Sequence, residues 1–399
     1  MAGPKGARGF PVAVAALVAL RFLVLAALPF EAVFGYGDYR HFYDLARLAV
    51  DGGGGWPLIG HWVEFPPFFP YLSLLLYHLA GGAEHVYAYL LAALMIAFDA
   101  ANLWLFLRLA RRLLPASTAD RLAWIYLAFL ALPAFGWWTF EPMAVFWMLF
   151  ALDLVLADRP ARAGLAAGLG LLTKFIPALV LVVAWRFRSL RQAAASTAVA
   201  LVVAAVGLVP FLVASPPMAV ASLQAQAAKG SWETVWALLD GNRNTGSFGP
   251  VEEHLDPSQA LRARGHPAVV PPWIPALAFG ALGLCLFVLA NRSEDGNAVR
   301  FLALTFCLFL LWSRGWSPQW LAYFVPLLLL SLPIGQALGF GLNLVCVALL
   351  EWPVLLSRGR FDLLWLPVIL RTALLVVLAV ALAGRTLHLT RHGRLRGVA

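Results

Sequence analysis

Apolar runs of membrane-spanning length recur along nearly the whole chain, separated by short turns rich in arginine. A helix needs ~17 to 25 apolar residues to cross a bilayer, because in lipid the backbone polar groups must be satisfied within the segment itself. The chain is 62% hydrophobic and 12% charged, against ~45–50% and ~25% for soluble domains. It therefore reads as an all-α polytopic membrane protein. Candidate spans are 10–30, 86–107, 121–137, 142–157, a broken pair at 163–173 and 175–185, then 193–213, 272–290, 299–313, 319–333, 335–351 and 363–384, about twelve membrane segments. No small-residue cleavage site follows the first apolar run, so it reads as a retained span, not a signal peptide. Residues 1–399 form one transmembrane domain in this reading.

Basic residues in short loops stay on the cytoplasmic side. This rule places Lys5, Arg8, Arg108, Arg111, Arg112, Arg121, Arg159, Arg162, Arg186, Arg188, Arg191, Arg292, Arg300, Arg385, Arg391, Arg394 and Arg396 inside, with both termini. It also requires the proline-led stretch 66–80 to be a partly embedded, non-spanning helix. Two long segments are left outside, a first outer loop at 31–85 and a large outer loop at 214–271. The net charge of +9 is scattered between apolar runs without a basic stripe, which fits membrane orientation and not nucleic acid. Cys285, Cys307 and Cys346 are isolated, which suits packing and neither a disulfide framework nor a metal. No glycine-rich phosphate loop follows a strand.

The first outer loop begins with a helical pattern. Tyr39, Phe42, Tyr43, Ala46, Ala49 and Val50 share one face, while Arg40, Asp44, Arg47 and Asp51 alternate in sign at i, i+4 on the other. This predicts an amphipathic helix on the membrane surface. Asp38 stands at its start, as an N-cap or as a chemical group. Gly52 to Gly55 end the helix, and Glu64-Phe65-Pro66-Pro67 turns the chain back toward the bilayer, with Glu64 either solvated or functional.

Glu141, beside Pro142 at an outer turn, suits a helix start by its charge alone. Lys174 is one of three lysines in the chain and falls between two half-length apolar segments, three residues before Pro177. A broken helix at membrane depth is tolerated where it is buried in protein or lines a watery cavity. A lysine at full depth costs ~2.5 to 3.5 kcal/mol and less when it snorkels, so Lys174 is either a snorkelling residue or a binding cation. Arg314 repeats the pattern at another outer span end. The large outer loop offers Lys229, Glu233, Arg243, Glu252, Glu253, His254 and Asp256 to a hydrophilic ligand, at spacings that identify no metal site. Asp99 and Asp153, inside spans, are expected to pair or hydrate near cytoplasmic arginines, with a proton relay as the alternative.

Together these stretches resemble the GT-C integral-membrane glycosyltransferases, and among them the bacterial polyprenyl-phosphate-mannose-dependent branch, glycosyltransferase family 87, from about residue 15 to 333. The first loop is similar to that branch in Asp38, Tyr43, Ala46, the glycine stretch and Glu64-Phe65-Pro66-Pro67, with Phe65 where the branch has tyrosine. GLGLLTKFIPALVL and RGWSPQWLAYFVPL resemble its lysine and Ser-Pro-Gln motifs. KGSWETVWA resembles its outer-loop Arg-Gly-x-x-x-Glu-Ser-x-Trp segment, one residue shorter and with Thr234 for serine.

The resemblance implies a GT-C-like fold in a bacterial cytoplasmic membrane with its site on the outer side. Sugar, by branch mannose with a pentose left open, would pass from a polyprenyl-phosphate donor to a hydroxyl of a glycan, glycolipid or other acceptor, with inversion. Asp38 would be the base. Lys174 and Arg314 would hold the phosphate, Glu64, Glu141 and Glu233 would orient hydroxyls, and Gln319 joins the substrate-binding set. No cofactor is assigned, no metal ligand is named, and a divalent metal is left open. The alternative is a transporter or flippase of a lipid-linked or anionic solute, which should show repeated halves with broken helices meeting at the midplane; no internal repeat is visible.

Overall fold

The structure, a computed structural model, describes residues 9–35, 38–132, 138–262 and 264–388. Among them there is no β-strand. In the first half of the chain run α1 (Gly9–Ala27), α2 (Phe30–Phe34), α3 (Tyr39–Val50), α4 (Phe68–Leu79), α5 (Glu84–Leu113), α6 (Ala116–Leu130), α7 (Glu141–Leu156), α8 (Pro160–Thr173) and α9 (Leu179–Phe187). Then follow α10 (Leu190–Ala214), α11 (Pro216–Ala228), α12 (Val235–Asp240), α13 (Trp273–Leu289), α14 (Asp295–Trp312), α15 (Leu321–Ser331), α16 (Ile334–Leu349) and α17 (Trp365–His388).

Five described segments are long and apolar enough to cross a membrane: α5, α10, α14, Ile334–Arg358 and Phe361–Leu387. The expectation of about twelve crossings is not met by twelve helices of spanning length, since α6, α7 and α8 have 15, 16 and 14 residues. Proline explains part of the shortening. It opens the first turn of α7 and α8, where its missing N–H is harmless, and so fixes where each helix begins. Helix α10 leaves Leu201, Val202, Val206 and Val213 exposed along its length, a surface that suits lipid and not water. The stretch expected not to span, 66–80, contains the 12-residue α4, too short for a ~30 Å hydrocarbon core.

Small residues set the central packing. Helices α8 and α10 meet at Gly164 and Gly168, where a Cβ would lie 2.3 Å from the Ser196 carbonyl oxygen and 2.7 Å from Val203. Such close approach is how helices pack when lipid removes the hydrophobic drive between them. Helix α8 then stops at Lys174, whose backbone is extended (φ −160°, ψ 149°), and a 3-10 turn through Pro177 leads into α9. The sequence places this break correctly.

Several finer expectations are corrected. The buried residues of α3 are Tyr39, Phe42, Tyr43, Leu45, Ala46 and Leu48, while Val50 is exposed. The helix is covered from more than one side, so its apolar face is wider than a surface helix needs. The i, i+4 pairs do not form: Arg47 reaches Asp44 at 3.3 Å, Arg40 approaches Glu84 at 4.0 Å, and Asp51 accepts from the Tyr77 hydroxyl. Asp153 pairs with Arg108 (3.0 Å), as its place near the basic turn suggests, but Asp99 pairs with Arg21 of α1 (3.1 Å). Cys307 is buried, whereas Cys285 and Cys346 face outward on apolar helices. Lys5, Arg8, Arg391, Arg394, Arg396, both chain ends and residues 133–137 of the third expected span lie outside the described residues.

Gly164→Val should push α8 off a backbone carbonyl that cannot yield, destabilising the protein by ~1–3 kcal/mol or more. Gly280→Val, with nothing within 4 Å of the added Cβ, should leave the thermal midpoint in detergent unchanged. Equal midpoints for the two variants would contradict this account of the packing.

Candidate active site

Asp38 occupies the N-cap position of α3 without acting as a side-chain cap. Its backbone carbonyl accepts from the Phe42 N–H (3.0 Å), while its carboxylate Oδ2 accepts from Gln319 Nε2 (3.1 Å) across the fold. The capping alternative is thereby removed. Aromatic packing holds this helix start in place: Phe42 lies against Phe69 and Phe140 with ring centroids 4.7 and 5.5 Å away, and Phe69 stacks on Phe140 at 4.1 Å. Phe140 immediately precedes Glu141, so the same cluster seats α3 against the start of α7.

The two cations assigned to phosphate each have a carboxylate partner. Lys174 Nζ donates to Glu141 Oε1 and lies 5.1 Å from the Phe140 ring centroid. Arg314 donates to Asp240 Oδ2 (2.7 Å), which also accepts from the Ser231 hydroxyl (2.6 Å). A third cation joins these two. Lys229 sits against the Trp232 and Phe248 rings, 4.2 and 3.7 Å from their centroids. Gly246 makes this cage possible, because a Cβ there would come within 2.8 Å of both Trp232 Nε1 and Lys229 Nζ. Gly315 is as tightly constrained: its Cβ would fall 2.0 Å from the Trp232 ring, whose backbone N–H donates to the Arg314 carbonyl (3.0 Å).

Asp38, Glu64, Lys174, Glu233, Arg314 and Gln319 all line one cavity of about 1350 Å³. Glu141 stands behind Lys174 and does not line it. The wall also carries an apolar side built from Leu20, Val24 and Leu28, with Leu179, Trp312 and Leu349. A charged chamber thus continues into a hydrocarbon-like surface.

Electrostatics follow from this crowding. Burial raises the Asp38 pKa, and the nearby charges of Lys174, His41 and Lys229 only partly oppose it. Burial would also raise Glu64, but the adjoining His41 charge and hydrogen bond outweigh it and bring the carboxyl down to about 2. Burial lowers Lys229 to about 8 against the pull of Glu64, Asp38 and Glu233. Glu233 is driven well above the usual carboxylate range by burial and by Glu351, with Arg371 opposing. It is a non-glycine residue at φ 52°, a conformation that needs support. Trp352 Nε1 donates to its Oε2 (3.2 Å), and Arg371 donates both to its backbone carbonyl and to Glu351.

The sequence reading named seven residues, and folding gathers them at one place. It offered Lys229 only among the polar residues of the large loop and assigned no role to His41, Asp240 or the Glu351–Arg371 pair. A lysine next to Gly-Ser-Trp was a usable signal for Lys229. Asp240 and Glu351 carried none, since an acid in a loop or near a span end has many ordinary reasons to be there.

No family model matches the chain, and no curated protein matches it. Among solved structures, the chain is similar to an Archaeoglobus fulgidus oligosaccharyltransferase at TM-score 0.39 and 15% identity, over 95% of this chain and 50% of that one. The chain spans about half the length of that structure.

Removing either partner of the Lys174–Glu141 pair leaves the other charge nearly dry, with side-chain exposures of 16% and 3%. Glu141→Gln and Lys174→Met should each cost ~3–5 kcal/mol, while the double variant recovers part of that loss. Denaturation of the four proteins in detergent measures it, and strictly additive losses would show that the two groups do not interact.

Proposed function

We propose that the chain is an inverting GT-C glycosyltransferase acting at the outer face of a bacterial cytoplasmic membrane on a polyprenyl-phosphate sugar. The observation that carries this reading is the carboxylate of Asp38, freed from helix capping and turned onto a cavity that joins three cations to an apolar wall. In the reaction, an acceptor hydroxyl oxygen bonds to the anomeric carbon as the bond from that carbon to the phosphate oxygen breaks. Polyprenyl phosphate leaves with the electron pair, and the hydroxyl proton passes to Asp38. The raised pKa of Asp38 suits it to accept that proton.

Lys174, Arg314 and Lys229 face the charge that grows on the leaving phosphate. Pairing does not disqualify the first two, because an ammonium has three donors and a guanidinium five. Glu141 and Asp240 instead fix the direction of each head group before substrate arrives, which is what favours the transition state over the ground state. Glu64 and Glu233 are placed to orient hydroxyls. The apolar wall would take the polyprenyl chain. Mannose follows from the sequence resemblance, with a pentose donor as the alternative.

Membranes bearing equal amounts of wild type and variants, supplied with radiolabelled polyprenyl-phosphate-mannose, test the reading. Asp38→Asn should lower transfer ~10²- to 10⁴-fold, and Lys174→Ala should raise the donor concentration needed. Wild-type rates in both would remove the mechanism. Absence of transfer by every protein, with pentose donors included, together with donor movement across vesicles, would favour the flippase reading.

Lys229 gives a separate prediction. Its cation, facing Asp38, Glu64, Glu233 and Lys174, is present below about 8 and lost as pH rises through that value. Transfer should therefore fall on the alkaline side near pH 8, and Lys229→Arg should move that limb upward because guanidinium stays charged. An unchanged pH profile would exclude Lys229 from the reaction.

A further inference from the structure

The two outer loops meet at His41, Glu64 and His254. His41 is on α3, Glu64 precedes α4, and His254 is in the 3-10 turn Val251–Leu255. One donor atom from each lies within 4.8 Å of the other two. His254 and Glu64 are almost wholly buried, while His41 is 27% exposed.

The tautomer of His254 is set by its surroundings. Its Nδ1 lies 2.8 Å from the Trp62 carbonyl oxygen; a carbonyl only accepts, so Nδ1 carries the proton and Nε2 holds a lone pair. That Nε2 has no hydrogen-bond partner, and neither does Glu64 Oε2. Two buried acceptors cannot satisfy each other, and each left without a partner is costly. A cation can satisfy both, with His41 supplying the third donor through the Nε2 that now contacts Glu64 Oε1.

The surrounding shell is already rigid. The Trp62 N–H donates to the His254 carbonyl (3.0 Å), its indole stacks on the His254 ring at 3.7 Å, and its Nε1 donates to the Glu253 and Asp256 carbonyls (3.2 and 3.0 Å). An imidazole whose other nitrogen donates to a backbone carbonyl is how proteins orient a metal ligand. Two imidazoles and one carboxylate select zinc-type cations over magnesium or calcium, which prefer oxygen sets. With bonds of ~2.0–2.2 Å, tetrahedral donors sit ~3.4 Å apart, so side-chain shifts on the order of 1 Å close the set.

We propose that His41, Glu64 and His254 form a His2Glu site for a zinc-type divalent cation, which clips the first outer loop to the large one and keeps a coordination position open toward the cavity. His41 and Glu64 line that cavity beside Asp38. The site stands independently of the glycosyl-transfer reading, because it is read out by metal binding and not by activity.

The test uses the purified full chain in detergent, stripped with a chelator and titrated with Co²⁺ as a visible-absorption probe. One equivalent should bind with the strong d–d absorption of a four- or five-coordinate site, and Zn²⁺ but not equimolar Mg²⁺ should bleach it. His254→Gln and His41→Gln should each weaken binding ~100-fold or more, whereas His85→Gln, exposed and stacked on Phe30, should not. Zn²⁺ should also raise the thermal midpoint of wild type and not of His254→Gln. Should that variant fail to fold, His41→Gln at its partly exposed position reads the same quantity. Binding that is substoichiometric, insensitive to both ligand variants, or displaced equally by Mg²⁺ would overturn the assignment and leave a His41–Glu64 ion pair beside a buried water.

Discussion

A charge inside an apolar helical bundle must have a partner, and the Lys174–Glu141 pair is where this rule shapes the molecule most. Helix α8 ends at Lys174 and α7 begins at Glu141, so one ion pair joins a broken helix to the start of its neighbour. Without the break, Lys174 would continue a helix through apolar surroundings. With it, the ammonium is delivered to the cavity already aimed.

The same rule organises the remaining buried charges. Arg21–Asp99 joins α1 to α5 at the cavity wall and Arg108–Asp153 joins α5 to α7, while Arg371 and Glu351 support Glu233 from the C-terminal helices. Arg314–Asp240 anchors the segment between α10 and α13 to the end of α14. Pairing so many charges contributes little net stability. What it supplies is direction, because each pair allows only a narrow range of head-group positions.

Aromatic packing does the corresponding work for the two long loops. The Phe42–Phe69–Phe140 cluster fixes the start of α3, and Trp62 holds the large loop through its backbone, its indole nitrogen and its ring face. Gly246 and Gly315 let Trp232 and Lys229 come closer than any side chain would permit. The cavity is thus bounded by loops that are locked to the helices and to each other.

The amino-acid sequence by itself determined the helical class, the break at Lys174 and the acids and bases worth watching, because hydropathy, proline and isolated charges act locally. It did not register where helices are cut short, since turn chemistry ends helices in ways that apolar length does not show. Nor could it tell an N-capping Asp38 from one that meets Gln319, or foresee that Arg21 would pair with Asp99 and Arg371 with Glu351. The His41, Glu64 and His254 cluster was equally hidden, its members lying on two loops far apart in the chain. Only the tertiary structure decided these matters, because a side chain's partner is set by which helices and loops pack together, and that is a property of the whole chain.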